Sequence, residues 1–165
     1  ADYPDAIKLV GQYKNVVMMR TFSKIYGLAS LRLGWSYSSA YVADILNRTR
    51  GPFNVSGAAQ YAAVAAVNDE DFIQKSKSHN QKWLKNLAVE FDKIGIKHYP
   101  SVANFILIDF LTIQKCQEVN QFLLDNGVIL REMSAYNLPS CLRMSIGQDE
   151  ENLLVIELLS NFSKI

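Results

Sequence analysis

The sequence predicts an α/β protein: the back part of a large, mostly parallel and incomplete sheet domain, followed by a small C-terminal α/β domain. Three observations carry this expectation. The run "NVVMMRTF" (15–22) is continuously apolar before its arginine, the pattern of a strand buried on both faces of a parallel sheet. The helical stretches behind it come with too few strands to close a sheet. From about residue 96 onward, strands and helices follow in a β-α-β-β-α order, which makes a small layer of its own. The expected division is 1–70 for the partial large domain and 71–165 for a bridging helix and the small domain.

The elements read in chain order. After the first strand, "LRLGWSYSS" (31–39) is a second strand or extended segment. "AYVADILNRTR" (40–50) is a short amphipathic helix stopped by Gly51-Pro52. "SGAAQYAAVAAVN" (56–68) is helical, with Ser56 as N-cap, and its small side chains favour close packing. The stretch 69–95 is one long helix, polar nearly all round in its first half. Its second half carries a stripe at Trp83, Leu84, Leu87, Phe91 and Ile94, and Gly95 stops it. Then follow a strand (104–110), a helix (113–127), strands at 128–132 and 141–147, and a closing helix at 149–165.

Composition excludes several classes. Apolar residues make 49% and charged residues 20% of 165 residues, with net charge +1, so neither a nucleic-acid surface nor an acidic tail is indicated. No apolar run reaches the ~20 residues that span a bilayer, and "ADYPDAIKLV" lacks the pattern of a signal peptide. Cys116 and Cys141 lie far apart and read as buried thiols, and His79 and His98 have no ligand-type partners near them in sequence. The expectation is a metal-free cytoplasmic protein.

One lysine raises a chemical question. In "RTFSKIYGLASLRLG" (20–34), Lys24 follows a buried run, stands beside two hydroxyls and precedes an arginine by eight residues. Read on spacing alone, it is a surface lysine in a loop. No P-loop fits, because no GxxxxG precedes it. The alternative is a lysine that bonds covalently to an aldehyde, which needs a neutral amine and an anchor for the cofactor. Pyridoxal phosphate (PLP) brings a phosphate dianion that wants hydroxyls and an arginine. Thr21 and Ser23 would supply the hydroxyls, Arg32 the planar fork, and Gly27 and Gly34 the tight backbone turns.

Arg131 in "VILRE" and Arg143 in "CLRMSI" are also unusual, because a strand arginine is expensive without an anion. A structural ion pair with Asp109 or Glu132 is the ordinary explanation; two such arginines behind the lysine motif favour a bound anion. Asn104 reads equally as a turn residue. Arg20 has no assigned role. Tyr26, Trp35 and Tyr136 read as core or rim packing.

"TFSKIYGLASLRLGW" closely resembles the lysine motif of fold-type I PLP-dependent aminotransferases of class I/II, in the wording of the histidinol-phosphate aminotransferase branch. "NFILIDF", "GVILRE" and "LPSCLRMSIGQDEEN" resemble that branch's later motifs, in the same order. The resemblance implies a transaminase moving an amino group between glutamate/2-oxoglutarate and histidinol phosphate, in histidine biosynthesis. It implies Lys24 as covalent anchor and proton carrier, with Thr21, Ser23 and Arg32 on the cofactor phosphate. Arg143 would bind the acidic end of the substrate, Arg131 the phosphate of histidinol phosphate, and Asn104 would face the site from the domain junction. It also implies a homodimer in the full-length protein, with small-molecule substrates and neither nucleic acid nor membrane as partner.

The family also needs an aspartate and a tyrosine from a D-E-A-Y-like motif. "ADY" at residues 1–3 resembles the tail of that motif, and Asp2 does not match the catalytic aspartate. The expectation is that these residues carry the lysine, the phosphate grip and the small domain, and are inactive alone. Within the branch the alternative is an aromatic-amino-acid aminotransferase. Outside enzymes it is the PLP-sensing domain of a transcriptional regulator.

Overall fold

The computed structural model describes residues 5–162, so Asp2, the "ADY" stretch and the stretch 163–165 of the expected closing helix lie outside the described residues. The chain divides into two compact units, Ala1–Ser76 and Lys77–Ile165, with the boundary inside the long helix.

The first unit opens on helix α1 (Ala6–Gln12), whose first turn is capped by the Asp5 carboxylate accepting from the Ile7 N–H. Strand β1 (Met18–Thr21) and strand β2 (Gly34–Tyr37) follow, and they pair with each other antiparallel. This corrects the expected strand 15–22 inside a parallel sheet. Only Met18 of β1 is buried, and Met19 is 75% exposed. The apolar run is real, but among the described residues β1 has one neighbour, β2, and no helix layer covers both faces. Gly34 makes the pairing possible: a Cβ there would sit 2.7 Å from the Arg20 carbonyl oxygen. Two helices complete the unit, α2 (Ala40–Thr49) and α3 (Gly57–Asn68), and Ser56 caps α3 by accepting from the Ala59 N–H, as expected.

Helix α4 (Glu70–Lys93) starts in the first unit and ends in the second. Its later turns bury Trp83, Leu87 and Phe91. Gly95, at φ +71°, lets the chain reverse, and the Ile96 N–H returns to the Phe91 carbonyl. The second unit continues with β3 (Lys97–Tyr99), β4 (Phe105–Asp109), α5 (Ile113–Asp125), β5 (Arg131–Glu132), β6 (Cys141–Ser145) and α6 (Asp149–Phe162). β3 adds a strand that the expected β-α-β-β-α order lacked, and β5 keeps only two residues of the expected 128–132. The sheet order is β3-β4-β6-β5, antiparallel throughout.

Period-two alternation gives this sheet two different faces. Ile106 and Ile108 of β4 stand opposite Met144 and Leu142 of β6, all four nearly inaccessible, and join α4, α5 and α6 in one apolar cluster. The other face carries Leu107, Arg143 and Arg131 in one cross-strand row.

Near the end of that second face lies Asp109, 8% exposed. It accepts from the Lys97 ammonium, the Tyr99 hydroxyl, the Ser140 hydroxyl and the Leu111 N–H, at 2.9–3.0 Å. Leu111 takes a left-handed φ of 68° to deliver its N–H. Burial pushes the Asp109 carboxyl up, but the Lys97 ammonium and the three other donors outweigh it and hold the group at about 2, below its ordinary 3.8.

Asp109→Ala is therefore expected to lower the unfolding free energy by about 1–3 kcal/mol, because it removes the buried acceptor shared by four hydrogen bonds; urea titration measures it. A carboxyl held lower in the folded state stabilises above its unfolded value and loses that contribution as pH falls. Stability should thus drop between about pH 4 and about pH 2, and Asp109→Asn should remove that slope.

Candidate functional site

In the first unit the lysine motif forms the loop between β1 and β2. Thr21 ends β1, and its Oγ1 accepts from the Ser23 N–H (3.0 Å) and donates to Ser23 Oγ (2.9 Å). Both hydroxyls therefore sit at one point, held by a local turn. Lys24 follows immediately; its carbonyl accepts from the Gly27 N–H at 2.9 Å, and Gly27 takes φ +67° to close that turn. Phe22, between the hydroxyls, is buried against Tyr26 with ring centroids 4.9 Å apart, which anchors the loop while Lys24 stays exposed.

Arg32 caps a short 3-10 turn (Ala29–Leu31) in the left-handed region, φ 51°, and donates to the Ala29 carbonyl at 2.7 Å. The ribbon register sets Thr21 opposite Gly34, two residues after Arg32. The structure thus brings Thr21 and Ser23 into contact, with Lys24 beside them, and leaves the Arg32 guanidinium on its own turn rather than on the hydroxyls.

In the second unit Arg131 and Arg143 are direct partners across β5 and β6. Like charges placed opposite each other on one sheet face are unfavourable. Neither forms an ion pair among the described residues. Asp109 is occupied by Lys97, and Glu132 accepts from Asn120 at 2.8 Å, so the ordinary explanation by a structural ion pair fails. Each guanidinium instead lies over an aromatic ring, Arg143 over Phe105 at 5.0 Å and Arg131 over Tyr136 at 5.8 Å. The Arg143 Nε is buried and has no acceptor. Both residues line a cleft of about 610 Å³ that also takes in Ile129, Gly147 and Leu154. Chemically, this is a donor set for a planar or tetrahedral anion.

Asn104 is exposed at the head of β4, and its carbonyl accepts from the Ile146 N–H at 2.9 Å, which extends the β4–β6 ladder past Ser145. Cys116 and Cys141 are buried free thiols; burial pushes Cys116 up to about 11, so it is inert near neutral pH. Among the described residues no three His, Cys, Asp or Glu side chains gather into a metal site, and no helix is long and apolar enough to cross a membrane.

Three polar residues of the second unit escaped the sequence reading. His79 and Asn80 bond the loops flanking β4 and β6, and Asn152, fully inaccessible, bonds Gly147 twice. Asn152 left a signal: it falls on the stripe Asn152–Val155–Leu159 of α6, where an apolar residue is expected.

Comparison with known proteins places these features. The family model for aminotransferase class I and II matches residues 1–158. A histidinol-phosphate aminotransferase of Rhodopseudomonas palustris (strain BisB5) is 49% identical over 163 residues, 98% of this chain and 45% of that protein. The histidinol-phosphate aminotransferase from Sinorhizobium meliloti, solved with pyridoxal-5'-phosphate, superposes with a TM-score of 0.83 at 27% identity, covering 92% of this chain and 42% of that one. That from Clostridium acetobutylicum gives 0.86 at 21% identity, over 97% and 49%, and speaks to the fold alone. The chain therefore spans about half the length of the relatives it matches. Its fold is that of part of a fold-type I large domain joined to a C-terminal small domain, and the chain belongs to the class I and II aminotransferases.

Proposed function

We propose that the protein carrying this chain is a PLP-dependent transaminase exchanging an amino group between glutamate/2-oxoglutarate and histidinol phosphate. The observation that carries the substrate is the opposed pair Arg131–Arg143, two strand arginines without an ion-pair partner on the wall of a cleft whose one lining carboxylate, Glu151, accepts instead from the Gln148 N–H. Histidinol phosphate offers a phosphate to both arginines of the pair, and glutamate a carboxylate to Arg143. The named function of the relatives supports the same choice.

The first unit fits the cofactor's phosphate. Thr21 and Ser23 present two hydroxyls at one point, and Gly34 lets β2 pair closely with β1 beside them. Arg32 stands on a turn that its own side chain holds by one bond, so its remaining N–H groups are open to an anion. PLP, when bound, supplies an electron sink that acidifies the substrate Cα–H. Lys24 has the roles left to this chain: covalent attachment of the cofactor, then removal and return of the proton at the substrate Cα. Its exposed amine on an anchored loop suits both, because the loop fixes the backbone and leaves the side chain free to move. Arg143 and Arg131 hold the anionic end of the substrate, with Asn104 at the head of the neighbouring strand. The complete enzyme is a homodimer in the cell's aqueous interior.

Borohydride reduction of the PLP-loaded protein should fix the cofactor on the peptide containing Lys24, read by mass mapping; an adduct on another lysine ends the assignment. Arg32→Ala should weaken PLP retention by about 1.5–3 kcal/mol, the value of a charge-assisted bond, with KM for substrate nearly unchanged. Arg131→Ala should do the converse: raise KM for histidinol phosphate by about tenfold or more and leave KM for glutamate nearly unaltered. Equal loss of both substrates would remove the phosphate role of Arg131, and rapid turnover of phosphate-free aromatic amino acids would favour that substrate class instead.

A further inference from the structure

The ends of β4 and β6 that bear on Asn104 and Arg143 are not held by the sheet alone. β4 begins at Phe105 and β6 ends at Ser145, and one bond beyond them, Ile146 N–H to the Asn104 carbonyl, joins the flanking loops. Two consecutive residues of α4 grip those loops from outside. Asn80 Nδ2 donates to the Ala103 carbonyl at 3.0 Å, on the peptide that leads into Asn104. His79 Nε2 lies 2.8 Å from the Gly147 carbonyl. A carbonyl only accepts, so this nitrogen carries a proton.

The grip is reinforced on both sides. The Gly147 carbonyl also accepts from Asn152 Nδ2 at 2.9 Å, and the Gly147 N–H donates to Asn152 Oδ1 at 3.0 Å. Below it, Trp83 Nε1 donates to Asp149, which also lies 3.5 Å from Lys82. The feature that a merely structural helix contact does not explain is Asn80 itself. Its Oδ1 is buried and has no partner. An apolar side chain would fill the same space without an unmet acceptor. The amide is kept for its single bond to the loop before Asn104.

We propose that His79 and Asn80 are positioning residues for the substrate's anionic end: a two-point latch that fixes the Asn104 loop and the turn after the Arg143 strand relative to each other. The proposal rests on the reading of Asn104 and Arg143 given above. The latch touches neither substrate nor cofactor. It acts by keeping the Ile146–Asn104 bond closed, and with it the last rung of the ladder that carries Arg143. A displacement of about 1 Å at such a point is enough to misalign a charge-assisted fork.

Two readouts test it separately. In this 165-residue chain, without substrate, amide exchange at Ile146 should quicken by about tenfold or more in Asn80→Ala and in His79→Leu. His79→Gln, which keeps a donor in nearly the same place, should restore the slow rate. Unchanged exchange at Ile146 in both variants overturns the latch, whatever the enzyme does. In the complete enzyme, Asn80→Ala and His79→Leu should raise KM for histidinol phosphate by about five- to twenty-fold with kcat and PLP retention within about twofold, and His79→Gln should recover most of the loss. Faster exchange with an unaltered KM, in an enzyme where Arg143→Ala does raise KM, overturns the positioning role. If Arg143→Ala leaves KM unchanged, the substrate assignment of Arg143 fails and takes the positioning role with it, while the exchange rates still decide the latch.

Discussion

Arg131 and Arg143 stand opposite each other in the register of β5 and β6, and the rest of the second unit is arranged so that this stays possible. Like charges at that spacing repel, and no carboxylate among the described residues relieves them. The aromatic rings of Phe105 and Tyr136 give each a weak cation–π seat, on the order of 0.5–1 kcal/mol where water still reaches. The acid that could neutralise Arg143 on the same face, Asp109, is committed to Lys97, Tyr99, Ser140 and the Leu111 backbone. The sheet's other face supplies the compensating stability, with Ile106, Ile108, Leu142 and Met144 sealed against the helices. The result is a cleft wall with two arginines to one carboxylate, Glu151, a positive balance that suits an anion.

The first unit solves a different problem with local means. Under the proposed function, a phosphate grip needs donors at one point, and a covalent lysine needs freedom of its side chain. Thr21 and Ser23 meet the first need through a turn that depends only on residues two apart. Phe22 and Gly34 meet the second by pinning the backbone on either side, one by burial and the other by a strand pairing so close that a Cβ would sit 2.7 Å from the Arg20 carbonyl oxygen. The hydroxyl pair and the turn closed by Gly27 are set by residues two or three apart, which is why the local shape of this loop is legible in a fifteen-residue stretch.

Legibility followed that distinction throughout. Helices α2 to α6 were evident, because capping residues such as Ser56 and stops such as Gly95 act within a turn or two. Helix α1 and strand β3 were not: seven and three residues are too short for periodicity, and β3 is specified by Lys97 and Tyr99 reaching Asp109, ten and more residues away. The apolar run 15–22 suggests burial on both sides, yet burial belongs to neighbours, and among the described residues β1 pairs with β2 alone. Arg131 and Arg143 stood out as strand arginines, but their direct opposition depends on register, which a connection of eight residues between β5 and β6 leaves open. His79 and Asn80 looked like any polar helix surface, since their partners lie 68 and 23 residues away.

The central claim is that Arg131 and Arg143 together bind a dianion. Its most direct test is a titration of this chain with histidinol phosphate, following the Nε–H resonances of both arginines by NMR. The account predicts that the two resonances move together, saturate with one dissociation constant, and stop responding when either arginine is replaced by lysine, which loses the planar fork. Resonances that stay fixed, or that move independently with different midpoints, would contradict it.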